Sequence, residues 1–270
     1  MNLNPNAIPT FLLSFLLFWL TACLTRRAGS TRNRVVLLLI ALVLAIPGAL
    51  YVLYYTHLFD NAVWFYRFRT LPYSELAGSG LGAIAGFLQG IFQPKGLGEK
   101  LVSPLALGTV LFIPFMKSAL DPVDYSQLQH KCEGDVCLQC IPSTCGPSSA
   151  APLLKLFGRN ASEAELALES FTYRGGTEIW YLARALRERG LLTDFVIRPK
   201  DRISPPVPAM AGVVLRGGAG HFIAILRDDG NEITIGDPLK GKEVVSRKDL
   251  IHAYRFTGLF LQVRPNDAQH

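Results

Sequence analysis

The first 25 residues carry no charged side chain, and the apolar run from Pro9 to Leu24 ends directly on Arg26 and Arg27. A cleaved export signal has its positive charges ahead of the apolar stretch, not behind it. The stretch therefore reads as a first membrane-spanning helix with its N-terminus outside. The rival reading is Leu20-Thr21-Ala22-Cys23, which has the form of a lipoprotein cleavage site but no basic segment before it. A second apolar run, Val35 to Thr56, is long enough to cross a hydrocarbon core of about 30 Å. The loop between the two runs holds Arg26, Arg27, Arg32 and Arg34 and no acid, which places it in the cytoplasm by the positive-inside rule. Pro47 and Gly48 are placed to kink the second helix. Tyr54, Tyr55, Trp64 and Tyr66 fit an interfacial aromatic belt beyond it.

Two further stretches decide the topology. Leu76 to Gln93 is uncharged and carries Gly78, Gly82, Gly86 and Gly90, each four residues after the last. That spacing puts a smooth stripe on one helix face, as in close-packed membrane helices; the other reading is an amphipathic or re-entrant surface segment. Leu101 to Met116 is the fourth apolar stretch, ended by Lys117. Four spans return the chain to the outside, and three leave the C-terminal half in the cytoplasm. Four spans make the two inner loops the more basic ones and are preferred.

Half of the 270 residues are hydrophobic, and the excess lies before residue 120. The chain thus divides into an all-α membrane anchor of three to four helices (1–120, with spans at about 9–24, 35–56, 76–93 and 101–117), a polar linker (121–134) and a globular part (135–270). Linker and globular part together have roughly 150 residues, enough for a single core. The formal charge of +6 does not indicate nucleic acid, because Lys and Arg are scattered or flank the apolar segments. No internal repeat, low-complexity tract or phosphate-binding glycine motif is present.

In the second half, helix signals come first. Pro142 and Pro147 surround Cys145, an apolar run Ala151 to Phe157 follows, and Gly158 closes it. Pro at the first helical positions and Gly past the end are helix punctuation, so Cys145 falls at a helix N-terminus. Unpaired backbone N–H groups and the macrodipole favour a thiolate there. Ser162 and Glu165 have capping-box spacing. A helix over about Glu178 to Arg189 is ended by Gly190. Short β-rich runs follow: Thr193 to Ile197, Gly212 to Leu215, His221 to Leu226, Glu232 to Ile235, Glu243 to Val245 and Leu259 to Val263. Helices followed by an antiparallel sheet argue for α+β.

The turn Asp228-Asp229-Gly230-Asn231 is a strong hairpin signal. Folding about Asp229-Gly230 sets His221 beside Asp237 within about one residue of register. Pro238 stops the strand and holds the carboxylate at its end. A carboxylate on one ring nitrogen leaves the other to take a proton from a thiol. Cys145, His221 and Asp237 therefore form a nucleophile–base–orienter set. Gln139, six residues before Cys145, can donate to an oxyanion together with the Cys145 backbone N–H.

Gln139, then Thr144-Cys145-Gly146-Pro147-Ser148-Ser149-Ala150, then Gly220-His221-Phe222-Ile223-Ala224-Ile225-Leu226, then Ile235-Gly236-Asp237-Pro238, resembles the C39 peptidases. These are papain-like cysteine peptidases best known for cutting double-glycine leader peptides. The resemblance covers about residues 135 to 265. It implies an α+β papain-like fold and no cofactor, with Cys145 as nucleophile, His221 as general base, Asp237 as orienter and Gln139 as oxyanion donor. It further implies a bacterial, inner-membrane protein acting on a peptide or protein. The best-known members are fused to an ABC exporter, whereas this chain has no Walker motif, so an exporter would be a separate partner.

Two alternatives stand beside this reading. The domain could bind peptides without turnover. Or Cys132-x4-Cys137-x2-Cys140, with His130 and Cys145 near, could hold a metal or sense redox state. An extracytoplasmic domain would instead favour a disulfide, Cys132 with Cys137 or Cys140. Arg184, Arg187 and Arg189 read as a solvated helix face, and Trp180 and Tyr181 as core. His57, His130, His252 and His270 have no comparable context.

Overall fold

The computed structural model describes residues 3–129, 131–200 and 204–266, without the side chains of 112–114 and 133. His130 and His270 lie outside the described residues. The chain forms two compact units, one comprising 3–60 and 72–120, the other 61–71 together with 121 onward.

The first unit is helical. It holds α1 (Ala7–Arg27) and α2 (Thr31–Tyr54). The segment Val63–Thr70, α3, belongs to the other unit. The chain then returns through a 3₁₀ turn, Ser74–Gly80, that runs into α4 (Leu81–Phe92), and ends this unit in α5 (Leu97–Leu120). Three stretches are long and apolar enough to cross a membrane: Ala7–Arg27, Thr31–Tyr54 and Ser74–Phe92. The first turns of the third are 3₁₀ rather than α, a tighter backbone used in short pieces. This third stretch is 56% buried, against 28% and 22% for the other two, so it is the central element. The glycine stripe explains how. A Cβ on Gly82 or Gly86 would overlap the carbonyl oxygens of Ser14 and Phe18 on α1, and one on Gly80 the carbonyl of Leu44 on α2. Without side chains the backbones touch, which is the packing that small residues give in lipid. Side chains on the fourth stretch, at 112–114, lie outside the described residues.

Besides α3, the second unit holds β1 (Cys132–Glu133) and β2 (Val136–Cys137), a hairpin closed by the Cys132–Cys137 disulfide. The segment 121–134 is thus drawn into this unit rather than forming a free linker: Pro122 bridges Tyr173, and Arg174 N–H donates to the Asp121 carbonyl. Three helices follow, α6 (Cys145–Lys155), α7 (Glu163–Glu169) and α8 (Ile179–Glu188). The capping box at Ser162 and Glu165 is formed, and Gly190 takes the left-handed conformation (φ 80°) that stops α8. The remaining strands are β3 (Leu191–Ile197), β4 (Ala209–Val214), β5 (Gly220–Asp228), β6 (Glu232–Asp237) and β7 (Gly241–Ser246). A short α9 (Leu250–Ala253) precedes β8 (Phe256–Pro265). They make one antiparallel sheet in the order β3-β8-β4-β5-β6-β7. One face carries a buried cluster that includes Ile223, Ile225, Ile233, Ile235, Leu250, Tyr254 and Phe260.

Helix α3 corrects three sequence expectations. The division at residue 120 is crossed, because 61–71 pack with the C-terminal unit. Tyr66 is not a membrane-belt residue: it is buried, and its ring stacks on Phe195 with centroids 5.3 Å apart. Its neighbour Phe65 is fully buried against the edge of Trp180. Arg184 is not on a solvated face either. Its guanidinium donates to the carbonyls of Arg69, Thr70 and Leu71, which are the orphan acceptors at the end of α3. Arg187 binds Thr193 through side chain and backbone, and Arg189 pairs with Glu169. Arg67 completes the docking with two 2.8 Å bonds to Asp194. Burying two aromatic side chains contributes about 1.5–3 kcal/mol each.

Candidate active site

The site forms where the N-terminus of α6 meets β5 and β6. A 3₁₀ turn, Pro142–Thr144, leads straight into α6, whose first residue is Cys145. Thr144 ties the turn by donating to the Ile141 carbonyl, and Ser143 donates to that of Arg174. Further along α6, Ser149 donates to the Phe222 carbonyl of β5 and locks helix to sheet. Gly146 is required by proximity, not by backbone angle. A Cβ there would stand 2.7 Å from a methyl of Leu182 and 3.5 Å from the Phe222 ring. A larger residue would push the helix N-terminus off the sheet.

The hairpin brings His221 and Asp237 together, but not in the register read from the turn. Ala224 pairs with Gly236 and Ile225 with Ile235, and a bulge between Ile225 and Arg227 absorbs one residue. Extending that pairing sets His221 two residues from the position opposite Asp237. A shift of two preserves the face, so the side chains meet as a diagonal pair. Nε2 of His221 lies 2.9 Å from Oδ1 of Asp237, with His221 5% and Asp237 1% exposed.

Asp237 is held as a carboxylate. Burial works against its charge, but His221, the Leu239 backbone N–H and Tyr254 together keep its pKa below the ordinary value. A carboxylate only accepts, so His221 donates through Nε2 and Nδ1 is left for the thiol. For His221 burial also opposes charge. The hydrogen bonds to Asp237 and Cys145 and the charges of both outweigh it, and its pKa is pushed up to about 9. Cys145, His221 and Asp237 are therefore in one contact chain.

Gln139 is tied to the same corner. Its backbone N–H donates to the Pro238 carbonyl, next to Asp237, and its side-chain Nε2 donates to the Ile141 carbonyl at 3.0 Å. The amide carries a second N–H. Its Oε1 is buried with no hydrogen-bond partner. Cys140 is placed differently: its backbone N–H donates to Glu163 and its thiol to the Gln129 carbonyl. Burial, then Glu163, raise the Cys140 pKa and keep it a thiol. The thiols of Cys132 and Cys137 are consumed in the disulfide, so only Cys140 and Cys145 of the four-cysteine cluster remain free.

Residues 135–268 match the model of the peptidase C39 family. An uncharacterized protein of Methanothermobacter thermautotrophicus (strain Delta H) is 31% identical over 138 residues, covering 49% of this chain and 90% of that one. The chain belongs to the peptidase C39 family. A second uncharacterized relative of the C39 unit, from Methanothermobacter marburgensis, is 32% identical over 120 residues, 44% of this chain and 81% of its own. Two solved structures are also similar. The peptidase domain of Streptococcus ComA, a bi-functional ABC transporter of a quorum-sensing pathway, is 24% identical with a TM-score of 0.41, covering 47% of this chain and 96% of that domain. The double-glycine-motif protease of an AMS/PCAT transporter, solved with the leader peptide, is 19% identical with a TM-score of 0.41, covering 51% and 95%.

Three residues of the C39 site have no signal in the sequence. Tyr254, Glu243 and Lys240 gather on the side of Asp237 away from His221. Glu163, which holds the Cys140 backbone beside Gln139, is readable from the sequence only as a first-turn helix acid. The chain order is that of the papain-like α+β fold: the helix that begins at Cys145 comes first and the sheet that carries His221 and Asp237 after it.

Proposed function

We propose that this chain is a membrane-anchored cysteine peptidase that cleaves a peptide bond through a thioester on Cys145. The buried 2.9 Å pair of His221 and Asp237, in contact with a cysteine on a helix N-terminus, carries the reading. The raised pKa of His221 means that Nδ1 already holds the proton given up by the thiol, and the sulfur attacks the substrate carbonyl carbon. The oxyanion lies on the Cys145 backbone N–H and the second N–H of the Gln139 amide. The C–N bond breaks as the imidazolium returns its proton to the leaving amine. Water, deprotonated by His221, then attacks the thioester carbonyl, and the Cys145 thiol leaves with the proton. Asp237 holds the tautomer throughout and is not protonated.

The substrate class is a peptide or a protein segment. The best-known C39 peptidases cut double-glycine leaders, so a leader-bearing peptide is the first candidate here. The test is Cys145→Ala in the native membrane. Processing of the substrate should stop entirely while the C39 unit still melts at its usual temperature, and uncleaved substrate should co-purify for mass spectrometry. Processing that continues in Cys145→Ala would sink the assignment.

The C39 unit faces the outside. Two observations support this besides the arginine loop. Helix α3 lies between the second and third apolar segments and is packed into the C39 unit, so that loop and that unit share one side of the membrane. This requires the third and fourth apolar stretches to return the chain to the side it left, which favours four spans. The Cys132–Cys137 disulfide is a bond that persists in oxidising compartments.

A further inference from the structure

Asp237 has two carboxylate oxygens, and the proposed reaction uses one of them. Oδ1 takes His221 and the Leu239 N–H. Oδ2 accepts from the Tyr254 hydroxyl at 3.1 Å. That hydroxyl also contacts Glu243 Oε2. Lys240 closes the group: its Nζ lies 3.3 Å from Glu243, 3.7 Å from Asp237 and 4.5 Å from the centre of the Tyr254 ring. Tyr254 is 5% exposed, and its ring sits in the apolar cluster beside Phe256.

A phenol has one proton. Here it stands between two carboxylates, and its pKa is raised by burial and by both acids, so it remains a donor. If it turns to Asp237, it fixes the second oxygen and with it the plane of the carboxylate. A carboxylate held at one oxygen can swing about its Cβ–Cγ bond; one held at both cannot. The Lys240 ammonium offsets the negative charge left on Glu243.

We propose that Tyr254 is a positioning residue of the peptidase: its hydroxyl clamps Oδ2 of Asp237 so that Oδ1 keeps His221 oriented toward Cys145. The proposal rests on the peptidase reading of Cys145 and His221, and acts on that site from behind. The charged groups facing the hydroxyl are Asp237, Glu243 and Lys240, with His221 beyond Asp237.

The experiment uses iodoacetamide on the full-length chain in detergent micelles. Alkylation of each free cysteine is followed separately by mass spectrometry across about pH 5 to 10, a range that spans the ordinary thiol pKa. In the wild type Cys145 should react far faster than Cys140, which burial keeps a thiol. Tyr254→Phe keeps the ring and its packing. It should slow Cys145 alkylation at neutral pH by about tenfold, the worth of one hydrogen bond to a charged group, and move the profile to higher pH. Asp237→Asn should slow it further. The double variant should be no slower than Asp237→Asn alone, because Tyr254 acts only through that carboxylate. Tyr254→Phe with a wild-type profile would overturn the proposal. So would an equal slowing by Tyr254→Phe in the wild-type and Asp237→Asn backgrounds, which would mean a packing role. A wild-type Cys145 no faster than Cys140 would instead overturn the peptidase reading itself.

Discussion

The two units of this molecule solve the same problem, close approach of backbone elements, by opposite means. In the N-terminal helical unit, contact is made by what is missing. Gly80, Gly82 and Gly86 have no side chain, so the central helix lies on the carbonyls of its neighbours. In the C39 unit, contact is made by side chains that donate hydrogen bonds: Arg184 reaches three carbonyls at the end of α3, Arg67 reaches Asp194, and Ser149 ties α6 to the sheet. Lipid offers no hydrophobic gain for bringing helices together, so shape must do it. Water outside makes apolar burial and charged hydrogen bonds effective. Residues 61–71 join the two regimes. They follow the second apolar helix in sequence order but pack with the C39 unit.

The sharpest way to break the comparison is to ask on which side α3 lies. A cysteine placed at Leu71, which is half exposed at the end of α3, and a reporter fused after residue 266 should both be accessible to a membrane-impermeant reagent from outside, all or none. Labels on opposite faces would separate α3 from the C39 unit and sink the four-span topology. Next in size is a paired measurement of the two packing modes. The segment 121–270 made without 61–71 should melt about 10 °C lower or precipitate, since Phe195 and Trp180 lose their partners. Gly86→Leu should leave the melting of the C39 unit unchanged while the anchor loses its packing, at a cost of about 1–3 kcal/mol or more. If Gly86→Leu lowers the melting of the C39 unit as well, the two packing modes are coupled and the contrast between them fails.

The smallest effect is a pH dependence confined to the C39 unit. The folded pKa of His221, about 9, lies above its ordinary value of 6.5. Its contribution to stability is therefore complete below pH 6.5 and is lost as the pH rises through about 9. Asp237 has the opposite sign: its folded pKa is lowered, so its contribution is present above the ordinary 3.8 and is lost at more acid pH. Thermal melts of the full chain should show the C39 transition falling between pH 6.5 and about 9, and His221→Gln should flatten that slope. A slope that persists in His221→Gln would assign the titration elsewhere.

Much of this site could be read from the chain because its determinants are local. Pro142, Gly146 and Pro147 place Cys145 at a helix start through backbone rules that need no neighbours. The Asp228-Asp229-Gly230-Asn231 turn forces the pairing of β5 with β6, and the face of each residue follows from a period of two. The register itself is not legible, because a bulge depends on packing and not on the turn. Nor is Tyr254: it lies 17 residues beyond Asp237, and nothing in a tyrosine after a short helix announces a carboxylate partner. Helix α3 is hidden for the same reason on a larger scale. Aromatic and basic residues beside an apolar run look like a membrane belt, and their true partners, Trp180, Arg184 and Asp194, are more than a hundred positions away.

That distance has a consequence for how the protein is made. The Arg67–Asp194 contact closes a loop of 127 residues. At a translation rate of about 5–20 residues per second, α3 emerges roughly 6–25 s before the surface that receives it. During that interval Phe65 and Tyr66 lack Trp180 and Phe195, the rings that cover them. The C39 unit thus cannot finish folding until Asp194 has been made, and synthesis of the helices between residues 72 and 120 acts as a timer on its completion.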